Sequence, residues 1–172
     1  ISGTALVSAF AWSLWYPEWA EKLRNRMAEG ELTEMMEQRV NVCWGLQEGN
    51  SGLSPDTLSD KIAHADAGEL RNPADPEGWH AFCDSDGPGF RRALRIDVSR
   101  DEAAGMLRID SAFQDSAMLK QGGRVAIHEY LLRATVDLAS HEILTLEPEA
   151  RILPFPECPG AVHNVSRLVG RR

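Results

Sequence analysis

Cysteine is scarce in this chain of 172 residues: Cys43, Cys83 and Cys158 make an odd number with no CxxC spacing. Neither a disulfide framework nor a zinc ribbon is signalled, and a reducing, cytoplasmic compartment is the expected setting. Positive charge is short as well. The 18 Lys and Arg against 26 Asp and Glu leave a net charge of -8, the opposite of the basic footprint that phosphate backbones and anionic membranes select. Nucleic acid and membrane are therefore not expected partners. There is no HExxH, and His64, His80, His128, His141 and His163 are scattered without ligand spacing, so no metal is expected. A glycine-rich phosphate loop is missing too, since Gly122-Gly123 precedes a strand pattern, and no cofactor is assigned. The apolar opening from Ala5 to Tyr16 lacks a preceding basic segment and a cleavage site. At about a dozen residues it falls short of the roughly 20 that a bilayer requires, and it reads as a buried helix. The chain starts at Ile1 and stops at Arg171-Arg172, the look of a piece of a longer protein.

What is present divides into two halves by period. Leu6, Phe10 and Leu14 recur at helical spacing, and Pro17 opens a second helix toward Met27. Leu32, Met35, Met36, Val40, Cys43 and Trp44 form one stripe, predicting a helix to about Gln47. Ser54-Pro55 starts a further helix ending near Gly68. Prolines and glycines between Asn72 and Gly89 mark a connecting loop. From Arg91 the period becomes two, with Leu94, Ile96 and Val98 on one strand and Leu107, Ile109, Ser111 and Phe113 on the next. Placing Arg100 opposite Gly105 sets Arg95 against Asp110 and Asp97 against Arg108. A third strand spans Arg124 to Leu138, with Ile109 expected opposite Tyr130 and Asp110 opposite Glu129. A fourth runs to Leu153, and Ala161 to Val169 closes as a helix. The expected fold is α+β: N-terminal helices, then a curved four-stranded antiparallel meander and a short C-terminal helix. Its parts are a helical segment over 1–70 packed on the sheet, a loop over 71–90, and the sheet with its closing helix over 91–172, all in one compact unit.

The titratable residues on the third strand are the candidate chemistry. His128 and Glu129 are adjacent, so they point to opposite faces and cannot share a site. His128 and Tyr130 lie two apart on the apolar face, where a desolvated imidazole beside a phenol suits proton transfer. The competing reading is a core histidine satisfied by Tyr130 or a carbonyl. The other face collects Arg95, Asp97, Arg108, Asp110, Glu129 and Arg133. These read as a ladder of ion pairs, or, if the helices cover them, as a polar cradle in which Asp110, Glu129 and Arg133 hold a substrate. Trp15, on the opening helix, could wall that pocket. Cys158 beside His163 lacks the setting of a catalytic thiol.

The elements Arg92 to Val98, Phe113-Gln114-Asp115, His128-Glu129-Tyr130, Leu153-Pro154-Phe155-Pro156-Glu157-Cys158-Pro159 and Arg167-Leu168-Val169-Gly170 resemble, in order and spacing, a largely uncharacterised family of bacterial domains of unknown function. The resemblance covers about residues 73–170. Members usually continue into a further helical piece with a Cys-Thr-His-Leu-Asn-Asp-like motif, which is absent here. The resemblance implies bacteria rich in aromatic or steroid breakdown pathways, and it supplies no catalytic residues to carry over.

Two readings follow. The first is a cofactor-independent lyase or isomerase acting on a small hydrophobic, preferably aromatic, catabolic intermediate by proton abstraction or retro-aldol-like C–C cleavage such as formaldehyde release. His128 is its base, Tyr130 steadies the developing oxyanion, and Asp110 or Glu129 with Arg133 hold a polar substituent. The second is a non-catalytic ligand-binding or subunit-interaction module using Trp12, Trp15 and the apolar opening helix. A homodimer through these helices fits either.

Overall fold

The computed structural model describes residues 2–54, 62–80 and 86–172. Helices α1 (Ser2–Trp15) and α2 (Pro17–Ala28) form where the apolar spacing places them, with Pro17 at the first turn of α2. The third helix is much shorter than its stripe predicts. α3 spans Thr33–Glu37, and after it Asn41 takes a left-handed φ of 62°, Cys43 is extended, and a single 3₁₀ turn covers Trp44–Leu46. The helix has already given way to turns at Gln38, and the left-handed Asn41 keeps it from resuming, its N–H reaching forward to the Leu46 carbonyl. The chain thereby turns Cys43 and Leu46 toward the sheet.

The helix expected from Ser54 to Gly68 falls partly on 55–61, outside the described residues. Its described remainder is extended instead. Strand β1 (Ala65–Asp66) pairs antiparallel with Ala126 and Val125. The main chain on either side is also tied to other segments: Ala63 N–H donates to the Pro154 carbonyl and Ala67 N–H to the Arg124 carbonyl.

The rest is an antiparallel meander of β2 (Phe90–Asp101), β3 (Met106–Met118), β4 (Arg124–Asp137) and β5 (Ile143–Ile152). The α+β class and the antiparallel sheet are as expected, with β1 added as a fifth strand. Along the sheet the order is β1-β4-β3-β2, and β5 shares the β1 side of β4. The closing segment is a 3₁₀ helix over Cys158–Leu168 rather than an α-helix, with Pro159 in its first turn.

Both predicted registers shift by an even number of residues. Arg100 lies opposite Leu107, so Asp97 faces Asp110 and Arg95 faces Ala112. The turn keeps four residues but lies one position further along, over 102–105 rather than 101–104, with Asp101 opposite Met106 and Asp101 Oδ1 accepting the Ala104 N–H. On the next pair Ile109 lies opposite Ala134, and Phe113 takes the place opposite Tyr130. Alternation cannot detect such a slip, because a two- or four-residue shift keeps every side chain on its own face.

The sheet is covered on both faces over part of its area. On one face Val7, Phe10 and Ala11 of α1 pack with Ala117, Val125 and Ile127, joined by Leu46, Ile62, Phe155 and Cys158. On the other face Leu70 packs with Ala93 and Ala112, with Trp79 and Leu131 beside them. The β3–β4 register breaks once, between Asp115 opposite His128 and Ser116 opposite Ala126, which leaves Ile127 as an extra residue in a bulge.

Candidate active site

Alternation on β2, β3 and β4 sends Arg92, Asp115 and His128 to the same face, since Arg92 lies opposite Asp115 and Asp115 opposite His128. Asp115 is the centre of this cluster and is fully buried. Arg92 grips it with two bonds, Nε to Oδ1 at 2.8 Å and Nη2 to Oδ2 at 2.8 Å. His128 Nδ1 meets the same Oδ2 at 2.9 Å. Burial pushes the Asp115 carboxyl up, but the Arg92 fork and the His128 bond outweigh it and hold it below the usual carboxylate range. The same contact raises Arg92 further, through the Asp115 hydrogen bond. An ionised carboxylate only accepts, so His128 donates from Nδ1, and its Nε2 is the basic nitrogen of the neutral ring.

Asp115, Arg92 and His128 lie on a cavity of about 210 Å³. Its other walls are Leu6 from α1, Val42, Cys43 and Leu46 from the bent segment after α3, and Phe113 and Tyr130 from the sheet. Burial pushes the Tyr130 phenol up to about 12, with the Cys158 and Cys43 thiols adding to it. Tyr130 is therefore a neutral donor at ordinary pH. Its ring lies 6.5 Å from that of Phe113, and the Arg92 guanidinium sits 5.2 Å above the Phe113 ring. Beyond Phe113 and Tyr130 a second, almost wholly apolar cavity of about 340 Å³ opens between Leu132, Pro148 and the 3₁₀ residues Ala161, Val162 and Val165.

His128 and Tyr130 thus border one cavity, while the other predicted site residues lie elsewhere. Asp110 and Arg133 face each other across β3 and β4 on the opposite face, 3.6 Å apart, in a polar groove that also holds Arg95 and Asp97. Arg95 binds Asp110, Asp97 and the Leu70 carbonyl together. Glu129 shares that face but is buried, accepting from Gln114 Nε2 at 2.8 Å while Arg151 approaches to 3.5 Å. Trp15 donates its indole N–H to the Met118 carbonyl at 2.8 Å and ties α1 to the end of β3. Asp115, Arg92 and Cys43 were absent from the predicted site. The signal for Asp115 was legible: it continues the apolar stripe of Ile109, Ser111 and Phe113, where a carboxylate breaks the rule.

Residues 90–172 match a family model. The model is that of DUF2889, described as a protein of unknown function, and it is to this family that the segment is similar. The match starts at Phe90, later than the 73 expected from the resemblance, and it takes in Arg92, Asp115, His128 and Tyr130. Leu6, Val42, Cys43 and Leu46, which close the cavity, come from outside it. No curated protein and no solved structure matches the chain. Among the described residues no helix is long and apolar enough to cross a membrane, and no three His, Cys, Asp or Glu side chains gather as a metal-binding group.

Proposed function

We propose that His128, oriented by buried Asp115, is the general base of a cofactor-independent lyase or isomerase acting on a small hydrophobic, preferably aromatic, compound. The observation that carries this reading is the Asp115–His128 bond at the wall of a cavity whose other lining is Arg92 and Cys43 with Leu6, Val42, Leu46, Phe113 and Tyr130. A positioned imidazole contributes about 10²–10⁴ in rate. In a retro-aldol step on a hydroxymethyl substrate, His128 takes the hydroxyl proton and the oxygen lone pair forms the formaldehyde carbonyl. The electrons of the broken C–C bond pass to the neighbouring carbon, and the imidazolium returns the proton there. Tyr130, protonated across the working range, donates to a substrate oxygen on which charge accumulates. Arg92 is engaged with Asp115, so its part is to fix the carboxylate. Asp110, Glu129 and Arg133, on the other face, leave the scheme.

The test is turnover on a panel of hydroxymethyl-bearing aromatics read by released formaldehyde, with His128→Gln alongside. Loss of at least two orders of magnitude supports the reading, and unchanged turnover on a substrate that the wild type converts sinks it. A second reading, a non-catalytic ligand-binding or subunit-interaction module, draws on an exposed aromatic group. Trp12 is 5.1 Å from Tyr16 and 6.4 Å from Trp19, and Trp12 and Trp19 are both exposed. An NMR titration in which the His128 ring ignores aromatic acids favours it.

A further inference from the structure

Strand β2 is the outer strand of the sheet, twelve residues long, and its β3 pairing runs from Phe90 to Asp101 without a bulge. Its direction of hydrogen bonding can be read from one bond. The Met118 N–H donates to the Gly89 carbonyl at 2.8 Å, one step before the Phe90–Ala117 pair. In an antiparallel ladder bonded and non-bonded pairs alternate. Odd-numbered residues of β2 therefore bond to β3, and Arg92, Leu94, Ile96 and Val98 turn their N–H and C=O groups outward. Among the described residues nothing bonds to this edge. The same residues carry large apolar side chains in water: Leu94 is 59%, Ile96 57% and Val98 58% exposed. A long, regular, apolar edge is a template for another strand.

The side-chain order says which strand fits. If two copies of β2 pair antiparallel about a two-fold axis at Ile96, Ile96 faces itself and Leu94 faces Val98 in both directions. On the opposite face Arg95 then lies across from Asp97 of the other copy, and Asp97 across from Arg95. The neighbouring registers lose this match. An axis at Arg95 sets Arg95 against Arg95, and one at Asp97 sets Asp97 against Asp97, arrangements that repel. An axis at Leu94 puts Ile96 against Arg92, and one at Val98 puts Ile96 against Arg100. The axis at Ile96 also sets Arg92 against Arg100 at each end, where Asp115 already holds Arg92 and Glu102 lies 3.4 Å from Arg100; among these axes it alone joins apolar to apolar and Arg95 to Asp97 while also using the outward groups of Leu94, Ile96 and Val98.

The geometry points to a second copy of this chain as the occupant of the β2 edge, in a two-fold dimer whose sheets join through the Ile96–Ile96 pair. Such an interface is isologous, as closed dimers require. It is distinct from the Trp12 surface and independent of the chemistry at His128.

Sedimentation velocity on the whole chain, from micromolar to near-millimolar concentration, tests it. The wild type is expected to be dimeric. Ile96→Pro is expected to be monomeric with an unchanged far-UV spectrum, because the lost N–H points away from β3 and an edge strand tolerates proline there. Leu94→Glu/Val98→Glu, which leaves the backbone intact and sets like charges across the axis, is also expected to be monomeric. Trp12→Glu should stay dimeric. For register, Ile96→Cys should oxidise to a disulfide mapped to position 96 of both copies, since a bonded pair holds its Cα atoms about 5.5 Å apart. Leu94→Cys should not, because its twin lies four residues along, about 13 Å away. A monomeric wild type, a dimer that survives both edge variants, or a dimer broken by Trp12→Glu instead overturns the proposal. Cross-linking at Leu94→Cys as readily as at Ile96→Cys overturns the register.

Discussion

Replacing Asp115 by Asn keeps the shape of the side chain and removes its charge. Oδ1 accepts from Arg92 Nε, and Oδ2 accepts from both Arg92 Nη2 and His128 Nδ1. Whichever way the Asn amide turns, its NH₂ confronts a guanidinium N–H, so at least one charge-assisted bond becomes a donor facing a donor. Such a bond contributes about 1.5–3 kcal/mol, and removing one partner of a fully buried pair costs about 3–5 kcal/mol. The Arg92 side chain is 40% exposed and recovers part of this from water, which brings the expected loss to about 2–3 kcal/mol. For a protein of this size that corresponds to a fall in Tm of about 5–10 °C. The pH dependence supplies a second signature. The folded Asp115 carboxyl is held below its ordinary value of about 3.9, so its contribution is present above that value and lost as pH falls through the folded one. Urea unfolding by circular dichroism between neutral pH and pH 3 measures both. Asp115→Asn should be weaker at neutral pH and less acid-dependent than wild type. A variant within about 0.5 kcal/mol of wild type, with the same acid limb, would refute the argument that Asp115 organises the cluster.

Tyr130 offers the complementary alkaline test. Its pKa rises from 10.0 to about 12 on folding, so its stabilising contribution is complete below 10 and is lost as pH climbs through 12; Tyr130→Phe should flatten that part of the profile. Gly45→Ala should cost about 1–3 kcal/mol in chemical denaturation, because the new Cβ would lie 2.6 Å from Cys158 Sγ and 2.7 Å from Phe155 Cδ2, both in the packed core. A neutral Gly45→Ala would show that the loop–sheet contact is loose. Burial raises the Cys158 thiol, whereas Cys43 is exposed, so brief alkylation followed by peptide mapping should label Cys43 well before Cys158.

The strands were legible because period two is a local property, visible in Leu94-Ile96-Val98 without knowing any partner. Register was not, because it depends on where each turn sits along the chain, which particular bonds such as Ala104 N–H to Asp101 Oδ1 set. The helical stripe from Leu32 to Trp44 misled for a related reason. Apolar residues at spacing three and four also suit a bent segment that turns Cys43 and Leu46 to a cavity, and the decisive residue, Asn41, is unremarkable in sequence. The separation of Glu129 from His128 followed from alternation alone. The joining of His128 to Asp115 required the β3–β4 register, and so lay beyond a reading that placed Ile109 opposite Tyr130.

The bulge at Ile127 qualifies the rule on which that separation rests. A regular strand never sends consecutive residues the same way, yet here Ile127 joins the α1 packing while His128 reaches Asp115 and the cavity beneath that helix. The strand carries two spliced frames, odd residues facing α1 before the splice and even residues after it. Deleting Ile127 would restore one frame without moving Asp115 from His128 or Ser116 from Ala126. The dyad and its hydrophobic buttress can thus be altered separately, by length on one side of the splice and by side chain on the other.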